Sequence, residues 1–306
     1  MIRKYLSLVK FSHTIFAMPF ALIGFALGVM ALLQIPGVKA PVEAWDTPVE
    51  RFSLFFIHQW NLFVLVVLCM VFARSAAMAF NRYLDRRFDA QNPRTAIREI
   101  PSGIISARNA LLFTMLMCVG FVAATAFINP ICFALSPVAL AVVLGYSYTK
   151  RFTAFCHLVL GVGLSLAPIG AYLAVTGVFD LLPSLFSVAV ICWVSGFDII
   201  YALQDEAFDR QQGLFSIPSR LGKSRALLVS RGLHFFSAGC IIAAGITGGF
   251  GIVYALGAMV FCGMLVYQQS IVKPNDLSKV NLAFMTANGI ASVVFSIFVI
   301  ADIIIP

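Results

Sequence analysis

Charge is what this sequence has least of. Only 11% of its 306 residues are Asp, Glu, Lys or Arg, against 61% hydrophobic, whereas a soluble domain carries about 25% charged residues. That excludes a water-soluble globular chain and implies a polytopic membrane protein whose partner is the lipid bilayer. Acid is scarcer than base, with 13 Asp and Glu against 21 Lys and Arg, a formal net charge of +8. The basic residues fall in the connections between apolar runs, so the excess reads as a positive-inside bias with some anion binding, and no nucleic acid is implied. The four histidines, His13, His58, His157 and His234, show no ligand spacing, and no histidine metal centre is expected. The seven cysteines form no C-x-x-C pair and lie in or beside apolar runs. They read as small buried hydrophobes rather than disulfides or metal ligands.

Apolar runs of the ~17–25 residues that cross a bilayer fall near 14–34, 61–80, 105–127, 130–148, 155–176, 182–203, 225–247, 249–270 and 281–304. The expected fold is therefore all-α, one domain over residues 1–306 with nine transmembrane helices. The first run exceeds the ~7–15-residue core of a signal peptide and lacks an A-x-A site, so it is expected to be a retained span. Nine spans place Arg3, Lys4 and Lys10, the arginines from Arg82 to Arg108, Lys150 and Arg151, the cluster from Arg210 to Arg231, and Lys273 and Lys279 on one side. Only Lys39 and Arg51 fall on the other. The basic side is expected to be cytoplasmic, in a bacterial inner membrane, with the C-terminus outside. Residues 34–60, with three prolines and three acids, are expected to form an external loop with an interfacial stretch near Phe52 to Trp60.

Two stretches gather the scarce acid. Asn81, Asp85 and Asp89 recur every fourth residue after Arg74, close to one helical face. Asp198 lies inside the sixth apolar run, and Asp205 and Asp209 follow it. Carboxylates one helical turn apart repel unless a cation lies between them. Mg²⁺ uses one or two carboxylates and completes its shell with water and phosphate oxygens. Two such pairs suit a diphosphate held through Mg²⁺ from both sides; the alternative is a pair of solvated helix ends neutralised by Arg86, Arg87 and Arg210. Arg74 and Asp198 lie inside apolar runs, where ionisable groups are costly and usually functional. They form either a buried ion pair or the wall of a water-excluded pocket for an anion. Arg94, Arg98, Lys150, Arg151 and Arg220 are candidate anion clamps; Arg108, Lys273 and Lys279 read as ordinary positive-inside residues. Tyr146, Tyr148 and Tyr201 fall near the expected site, or serve as interfacial anchors. Gly161, Gly163, Gly170 and Gly177 suggest close helix packing. Both acidic stretches run into I-P-S, at 100–102 and 217–219, the mark of a parallel internal duplication.

With these residues assembled, the chain resembles the UbiA superfamily of intramembrane aromatic prenyltransferases. Asn81, Asp85 and Asp89 are similar to its N-x-x-x-D-x-x-x-D motif, and Arg94-Thr95, Arg98 and Pro101-Ser102-Gly103 to the continuation. Asp198, Tyr201, Ala202, Asp205 and Asp209 match D-x-x-Y-A-x-x-D-x-x-x-D, and Tyr146 to Arg151 the tyrosine–lysine segment. The resemblance implies a bundle around a central cavity and transfer of a prenyl group from a polyprenyl diphosphate to an aromatic acid acceptor, with Mg²⁺. By that analogy Asp85, Asp89, Asp205 and Asp209 are metal ligands and Asp198, Asp85 and Asp205 catalytic. Arg74, Asn81, Arg94, Arg98, Tyr146, Lys150, Arg151 and Tyr201 bind substrate, with Arg74 or Arg98 on the acceptor carboxylate. YALQD and GLFSIPSRLG resemble the 4-hydroxybenzoate polyprenyltransferase branch. Relatives acting on 1,4-dihydroxy-6-naphthoate on a route to menaquinone are the alternative, and a secondary transporter is the alternative from another class.

Overall fold

The computed structural model describes residues 2–9, 16–32 and 47–305. The helices are α1 (Ile2–Leu8), α2 (Met18–Ala31), α3 (Pro48–Gln91), α4 (Ala107–Ala126), α5 (Pro130–Thr149), α6 (Cys156–Thr176), α7 (Leu181–Ala202), α8 (Glu206–Gln211), α9 (Ile217–Gly248), α10 (Ile252–Ile271) and α11 (Asn288–Ile304). A 3₁₀ turn at Leu203–Asp205 joins α7 to α8, and a π turn at Leu282–Ala287 leads into α11. Among the described residues, one isolated bridge, Lys273 with Asp276, is the only β pairing. Eight helical segments are long and apolar enough to cross a membrane; α2, with 14 described residues, is a shorter apolar helix. The expectations for Lys10, for Lys39 and for 34–46 fall outside the described residues.

Local chemistry sets the ends. Asn129 accepts from the Cys132 amide at 2.8 Å with Pro130 in the first turn of α5, dividing the third and fourth runs. The external stretch departs from expectation. Thr47 and Glu50 form a capping box with Pro48 behind it, so α3 begins at residue 48 and absorbs 52–60, bending at Gln59. At about 1.5 Å per residue, its 44 residues exceed the ~30 Å hydrocarbon thickness about twofold. Its last turns, which carry the first acidic stretch, therefore project beyond the apolar layer. A second capping box, Ser216 with Ser219, starts α9 at residue 217 rather than 225, and the helix kinks at Gly222, whose φ is +76°. The two I-P-S segments thus differ: residues 100–102 lie in turns and 217–219 open a helix, so the internal duplication does not extend to these connections.

α7 is the centre of the bundle, packed against α6 and α9, while α2 lies along α6 and α11 along α10. Trp193, Phe20, Phe186, Phe261 and Phe295 are fully buried and form its aromatic core. The Trp193 indole donates to Asn288 Oδ1 at 2.9 Å, and Gln268 donates to the same oxygen at 2.7 Å. A buried indole N–H without such a partner would carry a desolvation cost of about 1–3 kcal/mol. The α2–α6 contact is backbone to backbone: a Cβ on Gly24 would fall 2.0 Å from the Pro168 carbonyl oxygen. Of the four glycines expected to pack closely, only Gly161 does, against Ile191 and Ser195. Gly177 instead ends α6 with φ +71°, and Gly163 and Gly170 leave room beside them. Leu116 and Val119 on α4 and Phe235 and Phe236 on α9 are exposed, the outward face that lipid tails cover.

Candidate active site

Two cavities meet inside the bundle. The first, about 260 Å³, is polar and lies where the ends of α3, α5 and α7 converge. The second, about 360 Å³, is walled almost wholly by apolar side chains of α3 to α6. Arg74, Tyr146, Leu160 and Leu164 line both, so these residues form the junction between the two.

Thirteen of the candidate residues line the polar cavity. α3 contributes Arg74, Asn81, Asp85 and Asp89 from one face, as the heptad and i+4 spacings require. The loop after α3 returns Arg94 and Arg98. The end of α5 supplies Tyr146, Lys150 and Arg151. α7 carries Asp198 and Tyr201, and the 3₁₀ turn with α8 swings Asp205 and Asp209 back over the cavity mouth.

Each aspartate of the two clusters has its own base. Arg94 grips Asp205 with two nitrogens, at 2.6 and 3.1 Å, and donates to the Tyr201 hydroxyl at 3.0 Å. Arg98 meets Asp89 at 2.6 Å and Lys150 meets Asp209 at 2.7 Å. Arg151 is 3.4 Å from Asp85, whose other oxygen accepts from Asn81 at 3.1 Å. Asn92 adds a bond to Asp205 at 3.2 Å, and Ser216 one to Asp209 at 3.0 Å. Arg94 crosses from the first acidic segment to the second, and Lys150 reaches the second from α5. Burial alone would lower the pKa of Lys150, but Asp209, with Asp205 and Asp85, outweighs it and raises it. Arg94 behaves the same way against Asp205. Both bases therefore stay cationic at neutral pH.

The structure separates these candidates further. Arg74 and Asp198 do not pair: Asp198 Oδ2 bonds to His157 Nδ1 at 2.7 Å, and Arg74 has no ion pair among the described residues, its Nε lying buried without a hydrogen bond. Arg98, offered with Arg74 for the acceptor carboxylate, pairs with Asp89 at 2.6 Å. Arg220 stacks on Phe215 at 4.1 Å and does not line the cavity, and Tyr148 is exposed outside it. His157 and Asn92 were not singled out by sequence reasoning. Their partners lie 41 and 113 residues away, a separation no local spacing reveals.

The donor set fits Mg²⁺. All the candidate ligands are hard carboxylate oxygens, and Asp89 Oδ2 is buried with no hydrogen-bond partner. Among the described residues, no three His, Cys, Asp or Glu side chains gather tightly enough to hold a metal by themselves.

The UbiA prenyltransferase family model matches residues 55–290. A 4-hydroxybenzoate octaprenyltransferase of Shewanella halifaxensis is 30% identical over 236 residues, covering 77% of this chain and 82% of that protein. Another, from Alkalilimnicola ehrlichii, is 27% identical and covers 84% and 91%. Among solved structures, an apo UbiA homolog from Aeropyrum pernix superposes with a TM-score of 0.74 at 28% identity, over 96% of this chain and 97% of that one. A UbiA homolog from Archaeoglobus fulgidus bound to DMAPP and Mg²⁺ shares the fold at 20% identity with a TM-score of 0.71, over 99% and 100%. The match spans both acidic clusters and every base paired to them, and with it the chain belongs to the UbiA prenyltransferase family.

Proposed function

We propose that this chain transfers a polyprenyl group from its diphosphate to the ring of 4-hydroxybenzoate, with Mg²⁺, as a step toward a quinone. The observation that carries the reading is the one-to-one matching of four aspartates with four bases, at the mouth of a polar cavity joined to an apolar one. Such a set can exchange partners: carboxylates turn to the metal, and the released bases turn to phosphate oxygens. Asp85, Asp89, Asp205 and Asp209 would hold Mg²⁺, which when bound neutralises the diphosphate as it leaves. Arg94, Lys150 and Arg151, with Asn81, Tyr146 and Tyr201, hold its oxygens where negative charge develops, and fixed donors at that point lower the barrier. The apolar cavity receives the prenyl chain. The relatives named as 4-hydroxybenzoate octaprenyltransferases support the acceptor, and the homolog bound to DMAPP and Mg²⁺ supports the donor and metal.

Arg74 then has a role. Among the described residues it has no ion pair at the junction of the two cavities, and a buried cation without a partner is costly. The acceptor's carboxylate supplies that partner and sets the phenol toward Asp198. The C–O bond of the donor breaks with its electrons going to diphosphate. The ring carbon ortho to the phenol bonds to the prenyl carbon, while Asp198 takes the phenolic proton. The departed diphosphate then takes the ring C–H proton, and Asp198 returns its own to the oxygen, restoring the phenol. The gathering of bases at this end supports a cytoplasmic site under the positive-inside rule.

Membranes supplied with Mg²⁺, a long-chain prenyl diphosphate and one acceptor at a time test this. Prenylated 4-hydroxybenzoate by mass is the expected product. Product from the dihydroxynaphthoate alone would move the acceptor while keeping the chemistry. No product from either, with prenyl diphosphate binding indifferent to Asp85→Ala and Asp205→Ala, would return the chain to the transporter reading.

A further inference from the structure

The histidine at the start of α6 is held more firmly than packing requires. His157 is buried at 3% exposure. Its Nε2 accepts from the Ile217 amide at 3.3 Å, the first residue of α9. A peptide N–H only donates, so Nε2 carries the lone pair and the ring is neutral. The single ring proton is therefore on Nδ1, donated to Asp198 Oδ2 at 2.7 Å. α6 and α7 also meet one turn before Asp198, where Ser195 Oγ, 2.6 Å from the Ile191 carbonyl, lies 3.1 Å from the His157 carbonyl. Asp198 itself is partly exposed to the polar cavity, with 23% of its side chain accessible. Among the described residues its Oδ1 accepts no hydrogen bond.

We infer that His157 is a positioning residue: its fixed tautomer holds Asp198 by one oxygen as a carboxylate and leaves the other for the proton of a phenolic acceptor. The arrangement follows the logic by which a hydrogen-bonded partner sets tautomer and orientation in an acid–base pair, here with the backbone amide of α9 setting the histidine and the histidine setting the carboxylate. Without it, Asp198 loses the donor that fixes Oδ2 and is free to turn in the cavity. The inference rests on the aromatic transferase reading and names the part of the site that serves the acceptor, not the diphosphate.

The test uses the full chain in detergent, with His157→Leu and His157→Asn. Asparagine keeps an N–H donor near the position of Nδ1 but cannot accept from Ile217. Three quantities are measured: the melting-temperature rise from Mg²⁺ with geranyl diphosphate, kcat and KM for 4-hydroxybenzoate, and kcat for a fluorinated 4-hydroxybenzoate whose more acidic phenol is already ionised at the assay pH. For His157→Leu the ligand-induced melting rise stays at the wild-type value, while kcat for 4-hydroxybenzoate falls about 10²–10⁴-fold, the usual worth of a positioned base. The loss shrinks at least tenfold with the pre-ionised acceptor, and His157→Asn recovers most of the rate. In the background of Asp198→Asn, the leucine change adds less than threefold, because the two act as one unit. The inference is overturned if His157→Leu keeps kcat within threefold of wild type, if its loss is the same for both acceptors, or if His157→Asn is as slow as His157→Leu. A loss of the Mg²⁺–diphosphate response in both variants would also overturn it, by making the role structural. A wild-type chain that gives no product with any acceptor fails the transferase reading itself, a separate result from all of these.

Discussion

Lys150→Met separates the structural from the chemical work of the charge pairs. Lys150 Nζ lies 2.7 Å from Asp209, whose side chain is fully buried, while 35% of the lysine side chain is accessible. Breaking a buried pair costs about 3–5 kcal/mol, and an exposed pair is worth about 0–1 kcal/mol. With one partner buried and the other a third open, a destabilisation of about 2 kcal/mol is expected. Asp209 keeps its bond from Ser216 at 3.0 Å, which holds the loss near that figure. Adding Asp209→Asn removes the orphaned charge, so the double variant should regain most of the stability, measured as melting temperature in one detergent. Turnover should not return, because the metal ligand and the phosphate clamp are then both missing. Catalysis in Lys150→Met should fall by about 10²–10³-fold, the scale for losing one fixed donor at developing charge. Recovery of turnover along with stability in the double variant would refute the reasoning and leave the pair as a structural bridge between α5 and α8.

Other outcomes follow from single residues. Arg74→Leu should raise KM for 4-hydroxybenzoate by about tenfold or more while leaving geranyl diphosphate binding unchanged, and Arg220→Ala, outside the cavity lining, should change neither; parallel Michaelis curves check both. Gly170 lines the apolar cavity with nothing within 4 Å of an added Cβ, so Gly170→Phe should fill it and shift the kcat/KM ratio toward short prenyl diphosphates, and an unchanged ratio would move the prenyl chain elsewhere. Gly24→Ala should force α2 from α6, because the Pro168 carbonyl is 2.0 Å from the new atom. Overpacking of this kind costs about 1–3 kcal/mol, read as a lowered melting temperature.

The parts of this molecule that were legible in the sequence are those written at short range. Length and hydropathy place the membrane helices to within a few residues wherever a local cap ends them, as at Asn129 or Gly249. The i+4 spacing of Asn81, Asp85 and Asp89 already puts them on one helical face. What stayed hidden depends on pairing across the fold. Arg74 and Asp198 are the two charges in apolar runs, so opposite sign alone suggests a pair; the structure gives Asp198 to His157 because α6 and α7 pack at that level through Gly161 and Ser195. His157 carries no local signature, since its two partners sit on α7 and α9. The helical start of α3 was missed for a different reason: hydropathy reads Phe52 to Trp60 as interfacial, and the capping box at Thr47 and Glu50 overrides it.

The pairing of every cluster aspartate with a base also determines how ligands must arrive. Four carboxylates and four cations make a set of zero net charge, which is what allows it to sit at the edge of a low-dielectric bundle. Mg²⁺ alone must pull carboxylates from their bases and leave those bases facing one another. A prenyl diphosphate alone must pull bases from carboxylates and leave Asp85 and Asp89, one turn apart, to repel. Together each ligand takes what the other releases, so binding is expected to be synergistic, with a coupling of about 1–3 kcal/mol, or 5–150-fold in affinity. Linkage makes the coupling reciprocal: Mg²⁺ should tighten geranyl diphosphate by the same factor that geranyl diphosphate tightens Mg²⁺. Titrations of each ligand at zero and saturating levels of the other measure both factors. Asn81→Ala, which removes a neutral donor, should leave the coupling in place, whereas Arg94→Gln should diminish it, because Asp205 is then no longer held by a base that diphosphate can claim. Independent binding of the two ligands in the wild-type chain would show that the four ion pairs persist in the loaded site and would remove partner exchange as its binding mechanism.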